Sequence, residues 1–151
     1  MANIAQTVNV LQSMILTEED QMLLTPTYHV FKMFTPHHDA DRLPIEYDAG
    51  RYVLDNTEIP QVSASASAKD DGIFITLVNL SHQNSAELNI GLDGDYQFNT
   101  GRILTADTLD AHNTFDQPDA LQPVVFNSIK KAEQGFTATI PPASVATLTF
   151  L

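Results

Sequence analysis

The clearest alternation of apolar and polar positions lies in residues 62–80. In the stretch VSASASA, small apolar residues alternate with serines, which is typical of a strand with one buried face and one hydroxyl-bearing face. The turn KDDG follows, and Gly72 is expected to supply a positive φ there. The apolar run IFITLVNL then predicts the strongest strand of the chain, so the two runs together predict an antiparallel hairpin.

The N-terminal segment has a different pattern. Residues 2–6 form a short apolar run that ends in Gln6, which predicts a strand buried on both faces. Two further apolar runs, at 11–16 and 21–25, flank the polar stretch TEED, and this indicates a second hairpin.

One helix is predicted directly after this hairpin. Thr25 suits the N-cap and Pro26 the first helical position, because proline lacks the N–H that would be unpaired there. Pro36 ends the helix. An apolar stripe is expected from Tyr28, Phe31 and either Leu24 or Phe34.

The chain after residue 42 is β-like throughout. Residues 37–41 read as a polar connector and 45–53 as ambiguous, with Gly50 as a turn or bulge. Further strands are predicted at 86–90, at 96–104 with Gly101 marking a bulge, at 136–140 and at 145–151. About eight short strands without a second helix predict a two-sheet antiparallel sandwich.

Composition narrows the classes of function. The formal net charge is −12, which disfavours nucleic acid and anionic membrane surfaces as partners but not a neutral sugar. Cysteine is absent, which excludes disulfides and thiol chemistry, and tryptophan, a frequent sugar-stacking residue, is absent too. The sequence has no phosphate-cradling glycine loop, so no cofactor is expected.

Five stretches of the chain are distinctive: MANIAQTVNVLQSMILT, MLLTPTYHVFKMF, VSASASA, GRILTADTLDAHNTFDQPD and ATIPPASVATLTFL. In this order they resemble the C-terminal third of the family 51 glycoside hydrolases, the α-L-arabinofuranosidases. The resemblance implies a (β/α)8 catalytic barrel followed by a β-sandwich of jelly-roll type. Residues 1–36 would then be the last β/α unit of a truncated barrel, and residues 37–151 the C-terminal sandwich.

The same resemblance implies where the chemistry lies. Retaining hydrolysis of arabinofuranosides needs two carboxylates about 5–5.5 Å apart. In the family both are glutamates on earlier barrel strands, upstream of Met1, so no catalytic residue is expected in this chain. Gln6 matches a family glutamine that hydrogen-bonds the arabinose, and is expected to bind substrate in the intact enzyme only; Asn9 is expected to cap a loop.

Other polar clusters admit both a functional and a structural interpretation. The run Glu18 to Asp20 could hold a cation, but is more typical of a solvated hairpin tip. His37 to Asp41 carries metal-ligand residue types without a third fixed ligand, and a connector is favoured. The segment DAHNTFDQPD could suggest a triad or a calcium loop; a structural crossover anchored by a buried Phe115 is favoured instead.

Three hypotheses for function follow. The leading one is a non-catalytic C-terminal portion of an arabinofuranosidase that packs on the barrel and supports subunit contacts. The alternatives are a free-standing carbohydrate-binding module, with Tyr47, Tyr52 and Tyr96 as its surface, and a structural interaction domain. Unpaired apolar surface at the N-terminus predicts a homo-oligomer. The sequence has no signal-like segment, so a cytoplasmic location is expected, although any signal of a longer enzyme would lie upstream.

Overall fold

The computed structural model of the chain describes residues 4, 6–11, 13–48 and 50–151. The N-terminal part contains one hairpin, one helix and one short 3₁₀ turn. These elements are β1 (Ile15–Glu18), β2 (Gln21–Leu24), α1 (Pro26–Met33) and the turn Thr35–His37. The hairpin turn is Glu19-Asp20, with Glu19 in the left-handed region at φ 52°. The predicted hairpin and helix are therefore both present.

The rest of the described chain consists of strands and loops. The strands are β3 (Asp41–Arg42), β4 (Arg51–Leu54), β5 (Thr57–Pro60), β6 (Val62–Lys69), β7 (Gly72–Asn79), β8 (Ala86–Ile90), β9 (Phe98–Thr105), β10 (Val124–Val125), β11 (Ile129–Lys131), β12 (Phe136–Ile140) and β13 (Ser144–Phe150). Strands β4 and β5 form a hairpin of their own, which begins at the end of the segment 45–53 that the sequence left ambiguous.

Two antiparallel sheets form the sandwich. One has six strands in the order β10-β9-β13-β7-β6-β3, and the other has three in the order β11-β12-β8. Their facing side chains form one apolar core, in which Ile140 and Phe150 are fully buried and Leu148 is 1% exposed. The predicted fold class, a mainly β antiparallel sandwich preceded by a hairpin and a helix, is confirmed.

The serine alternation on β6 has the predicted orientation. Val62 and Ala66 belong to the core cluster, while Ser63 and Ser65 are exposed on the opposite face. Strand β6 pairs with β7 along its whole length, from Val62 with Asn79 to Lys69 with Gly72. The outer face of β6 is therefore polar, and His37 of the N-terminal segment contacts Ser67 on this face.

Two glycines do not have the backbone conformation that the sequence predicted. In the β6–β7 turn it is Asp70, at φ 52°, that adopts the left-handed conformation, while Gly72 has no positive φ. At Gly101 there is no bulge; the register shift in this pair lies opposite Thr149 and Phe150. A Cβ at position 101 would lie 3.1 Å from the Phe126 carbonyl oxygen, so close packing explains this glycine.

Candidate functional site: the N-terminal loop and the helix–sheet junction

Gln6 begins a loop that is fixed to the first hairpin. The backbone N–H groups of Met14 and Ile15 both donate to the Thr7 carbonyl oxygen, at 3.1 and 3.0 Å. Gln6 itself is exposed, so its amide is accessible as both donor and acceptor. Most of the predicted strand at 2–6 lies outside the described residues; of the two that are described, Ile4 and Gln6, neither belongs to a strand.

Asn9 stabilises this loop, as predicted. It adopts a left-handed backbone conformation with φ 53°. Its Oδ1 accepts from the Thr17 N–H at 2.7 Å, and its Nδ2 donates to Thr17 Oγ1 at 2.8 Å. The side chain thus closes the loop onto strand β1, which makes Asn9 a structural residue.

Thr25 joins the loop to the helix. As the N-cap, its Oγ1 accepts from the Tyr28 N–H at 3.4 Å, the cap that the sequence predicts. The same hydroxyl donates to the carbonyl oxygen of Ser13, at 2.7 Å. Since Ser13 is only 1% exposed, the loop, the hairpin and the start of α1 form one connected unit.

The helix face that is buried in this chain is not the one that carries the predicted apolar stripe. His29 and Met33, which are four residues apart, are its buried residues, whereas Tyr28, Phe31 and Phe34 are only partly buried. The sequence did not predict which helix face meets the sandwich, and the contact of the aromatic stripe with a body outside this chain stays a prediction. His29 and Met33 lie at the junction with the sheet, beside Thr100 and Thr147.

His37 attaches this unit to the six-stranded sheet. Its Nδ1 lies 2.7 Å from Ser67 Oγ on β6, and its Nε2 lies 2.6 Å from Thr76 Oγ1 on β7. Burial lowers the pKa of the His37 imidazole, and the charge of the neighbouring His38 lowers it further by a smaller amount. Because both ring nitrogens are engaged by hydroxyls, His37 is a structural clamp, and the described residues contain no group of three metal-ligating side chains.

A second attachment comes from the long crossover at residues 106–123. Asn113 is 4% exposed, and its Nδ2 donates to the Leu24 carbonyl oxygen at 2.8 Å. Its amide also exchanges hydrogen bonds with both backbone groups of Leu121. The anchor predicted at Phe115 is wrong, because that ring is only partly buried. Nothing in the apolar pattern marked Asn113.

The polar residues around this anchor do not form a catalytic arrangement. Asp110, His112 and Asp116 are all exposed, and His112 Nδ1 lies 2.7 Å from the backbone oxygen of Asp110. A hydrogen bond from the Thr108 side chain lowers the pKa of the Asp110 carboxyl. A carboxyl in this state is ionised and solvated, which suits a loop surface.

The three tyrosines lie in separate environments. The Tyr47 hydroxyl accepts from the Ala64 N–H at 3.4 Å, and the Tyr52 hydroxyl lies 2.9 Å from His82 Nδ1. Tyr96 is half-buried against the apolar core. Each ring thus has its own structural contact.

Every acidic side chain of the chain lies on the surface. All 19 of them, every Asp and Glu of the sequence, are exposed. A glycosidase general acid has a raised pKa, which requires a sheltered site, and it works with a second carboxylate beside it. Fold and site together define an antiparallel β-sandwich that carries an attached hairpin–helix unit.

The family model described as the α-L-arabinofuranosidase C-terminal domain matches residues 1–144. The chain therefore belongs to this family. It is 44% identical to a relative named intracellular exo-α-L-arabinofuranosidase from Bacteroides ovatus, over 98% of this chain and 29% of that protein.

Solved structures show the same correspondence. A family 51 arabinofuranosidase from Xanthomonas axonopodis pv. citri is 40% identical with a TM-score of 0.94, over 100% of this chain and 31% of that one. An α-L-arabinofuranosidase from Thermotoga maritima, at 23% identity and a TM-score of 0.74 over 97% of this chain and 33% of that one, shares the fold. The chain thus spans about 30% of the length of these relatives, at 29%, 31% and 33% of the three proteins. Within the described residues, no helix is both long enough and apolar enough to cross a bilayer.

Proposed function

We propose that this chain is the non-catalytic C-terminal part of a retaining α-L-arabinofuranosidase, which removes terminal α-L-arabinofuranosyl groups from oligosaccharides. The exposure of all 19 acidic side chains carries the proposal, because a retaining mechanism needs a sheltered pair of carboxylates. Both catalytic glutamates then belong to an upstream barrel. The relatives, each about three times longer, support this arrangement.

Two units divide the work in this proposal. Residues 1–36 are the last β/α unit of the barrel, and residues 37–151 are the sandwich that packs on it. The attachment of His37 to Ser67 and Thr76 supports a boundary before His37, since its partners lie on the sandwich. The exposed Leu11 and Met22, 93% and 61% accessible, supply apolar surface for the remaining barrel.

Gln6 is the residue of this chain that we assign to substrate. Its exposed amide begins the fixed loop on the barrel side and offers hydrogen bonds to sugar hydroxyls without adding charge. In the intact enzyme it would bind the arabinofuranosyl group, while Asn9 holds the loop that carries it.

The test is a chimera in which this chain replaces the matching C-terminal part of the Bacteroides ovatus relative. The chain alone is expected to release no nitrophenol from p-nitrophenyl α-L-arabinofuranoside, and the chimera is expected to release it. Hydrolysis by the purified chain that one substitution within it abolishes would overturn the proposal.

Gln6→Ala in the chimera sharpens the test. Loss of a hydrogen bond to the sugar should lower kcat/KM by roughly 10- to 100-fold. Gln21→Ala, which removes an exposed glutamine from the nearby hairpin, is the matched control and should leave kcat/KM unchanged. Equal values for both variants would remove Gln6 from the substrate site.

Assembly and location follow from the same proposal. We expect the enzyme to be a homo-oligomer in the cytoplasm, and the naming of the Bacteroides ovatus relative as intracellular supports the location. Light scattering of the chimera should give a mass above that of one chain. A strictly monomeric chimera with full activity would contradict a role of the sandwich in subunit contacts.

A further inference from the structure

A cleft of about 360 Å³ lies between α1 and the polar outer face of the six-stranded sheet. Its floor includes Thr100 and Arg102 of β9 and Thr147 and Thr149 of β13. These residues are direct neighbours across the strand pair, with Thr147 opposite Arg102 and Thr149 opposite Thr100. The floor thus presents three hydroxyls and one guanidinium group together.

The helix side of the cleft supplies His29. This residue is 8% exposed and lines the cleft, and its ring nitrogens have no hydrogen-bond partner within the described part of the chain. Among the described residues, every fully buried side-chain nitrogen or oxygen has a hydrogen-bond partner. Because the His29 nitrogens have none, they are not fully buried, and they contact solvent through the cleft. An amphipathic ring held this way can donate and accept a hydrogen bond with a ligand.

The charge of the cleft is opposite to that of the chain. The sequence has a net charge of −12 and seven basic residues, and two of those, Lys32 and Arg102, line this cleft. Among the described residues, neither Lys32 nor Arg102 forms an ion pair. The ion pair found there joins Arg51 and Glu58. Asp119 acts on His29 from outside the lining, and its Oδ1 accepts a hydrogen bond from Gln122.

We propose that this cleft binds a sugar unit that carries a carboxylate, such as a hexuronate. The threonine hydroxyls and His29 match sugar hydroxyls, while Lys32 and Arg102 match the carboxylate. Its volume of about 360 Å³ falls within the usual range for small-molecule sites, roughly 300–1,000 Å³. Two cations in an acidic chain suit one carboxylate better than a polyphosphate.

This site does not depend on the proposed catalytic role, because every residue assigned to it, on α1, β9 and β13, belongs to this chain. Binding can therefore be measured on the 151-residue chain itself, without any activity assay. Failure here would leave the proposed function intact, and an inactive chimera would leave this site intact.

The experiment is an NMR titration of the chain with D-glucuronate, with D-glucose, acetate and inorganic phosphate as matched probes. Glucuronate should shift the amide signals of β9, β13 and α1, with a dissociation constant on the order of 1 mM. Glucose lacks the carboxylate and acetate lacks the hydroxyls, so each should bind at least about tenfold more weakly.

Variants locate the site. Arg102→Gln should weaken glucuronate binding at least about tenfold, and Arg51→Gln, on the exposed β4–β5 hairpin, should not change it. Thr147→Val, which keeps the shape of a strand residue, tests the floor separately. Equal affinity for glucose or phosphate, no saturable binding of glucuronate, or full affinity in both Arg102→Gln and Thr147→Val would each overturn the proposal.

Discussion

The sandwich and the N-terminal unit differ in whether each has an apolar core of its own. In the sandwich, Ile140 and Phe150 have no exposed surface, and Leu148 has 1%. In the N-terminal unit, Leu11, Met22 and Val8 are 93%, 61% and 44% exposed. The sandwich therefore has an apolar core of its own, although its surface also exposes apolar side chains such as Leu109. In the described part of the smaller unit only Leu23 and Met33 are buried apolar residues, and a few polar contacts hold this unit to the sandwich.

The largest expected effect on the free energy of unfolding comes from the core of the sandwich. Leu148→Ala should lower the free energy of unfolding by about 2–5 kcal/mol, because it opens a cavity between the sheets. Leu11→Ala, the same chemical change on the exposed loop, should change it by less than about 0.5 kcal/mol. Urea unfolding of both variants measures the difference, and similar losses would abolish the distinction between the two regions.

Asn113 tests the attachment between the regions. Asn113→Ala removes the donor to the Leu24 carbonyl oxygen and the partner of Leu121, which should cost about 1–3 kcal/mol. Asn127→Ala, at an exposed position, serves as the control. If the two variants unfold at the same urea concentration, the crossover does not hold the N-terminal unit.

Gly101 tests how tightly the sandwich is packed. Gly101→Ala places a Cβ 3.1 Å from the Phe126 carbonyl oxygen, and such overpacking should cost about 1–3 kcal/mol. At Gly91 a Cβ meets no atom within 4 Å, so Gly91→Ala should cost little. Thermal unfolding of the pair checks this, and a neutral Gly101→Ala would show that the strand can move away.

The histidines predict the pH dependence of the junction. Burial lowers the pKa of His29 and His37 in the folded chain, so the unfolded chain, with an ordinary pKa of about 6.5, takes up protons first as the pH falls. Their contribution is complete above about pH 6.5 and decreases as the pH falls through the lowered pKa values. His37→Asn should flatten this slope, measured by urea unfolding between pH 7 and pH 5, whereas the exposed His112→Asn should retain it.

The sequence predicted the elements whose signals are local. The N-cap at Thr25, the serine alternation of β6 and the β6–β7 hairpin all depend on residues within one turn or one strand, and all are confirmed. The left-handed residue of the hairpin turn proved to be Asp70, because the two-residue turn is Asp70-Asp71 and Gly72 already pairs with Lys69 as the first residue of β7.

Long-range polar contacts could not be predicted in this way. His37 meets Ser67 and Thr76 across 30 and 39 residues, and Asn113 reaches Leu24 across 89. Their partners are a hydroxyl or a backbone carbonyl, which leave no apolar pattern. For the same reason, the sequence did not predict that His29 and Met33 form the buried face of the helix, because the strands that pack against this face come much later in the chain.

The cleft beside α1 also could not be predicted from the sequence. Its members come from the helix, from β9 and from β13, and each has an ordinary structural role within its own element. The substrate role of Gln6 came from resemblance to the family, and it stays a prediction for the chimera to test.

Amide hydrogen exchange of β1 and β2 tests the central claim, that the N-terminal unit is completed by a body outside this chain. The rates are measured in the chain alone and in the chimera with the relative's upstream part. We expect amide exchange in β1 and β2 to be at least about tenfold slower in the chimera, with the rates in β7 and β13 unchanged. Equal β1 and β2 rates in both proteins would contradict it.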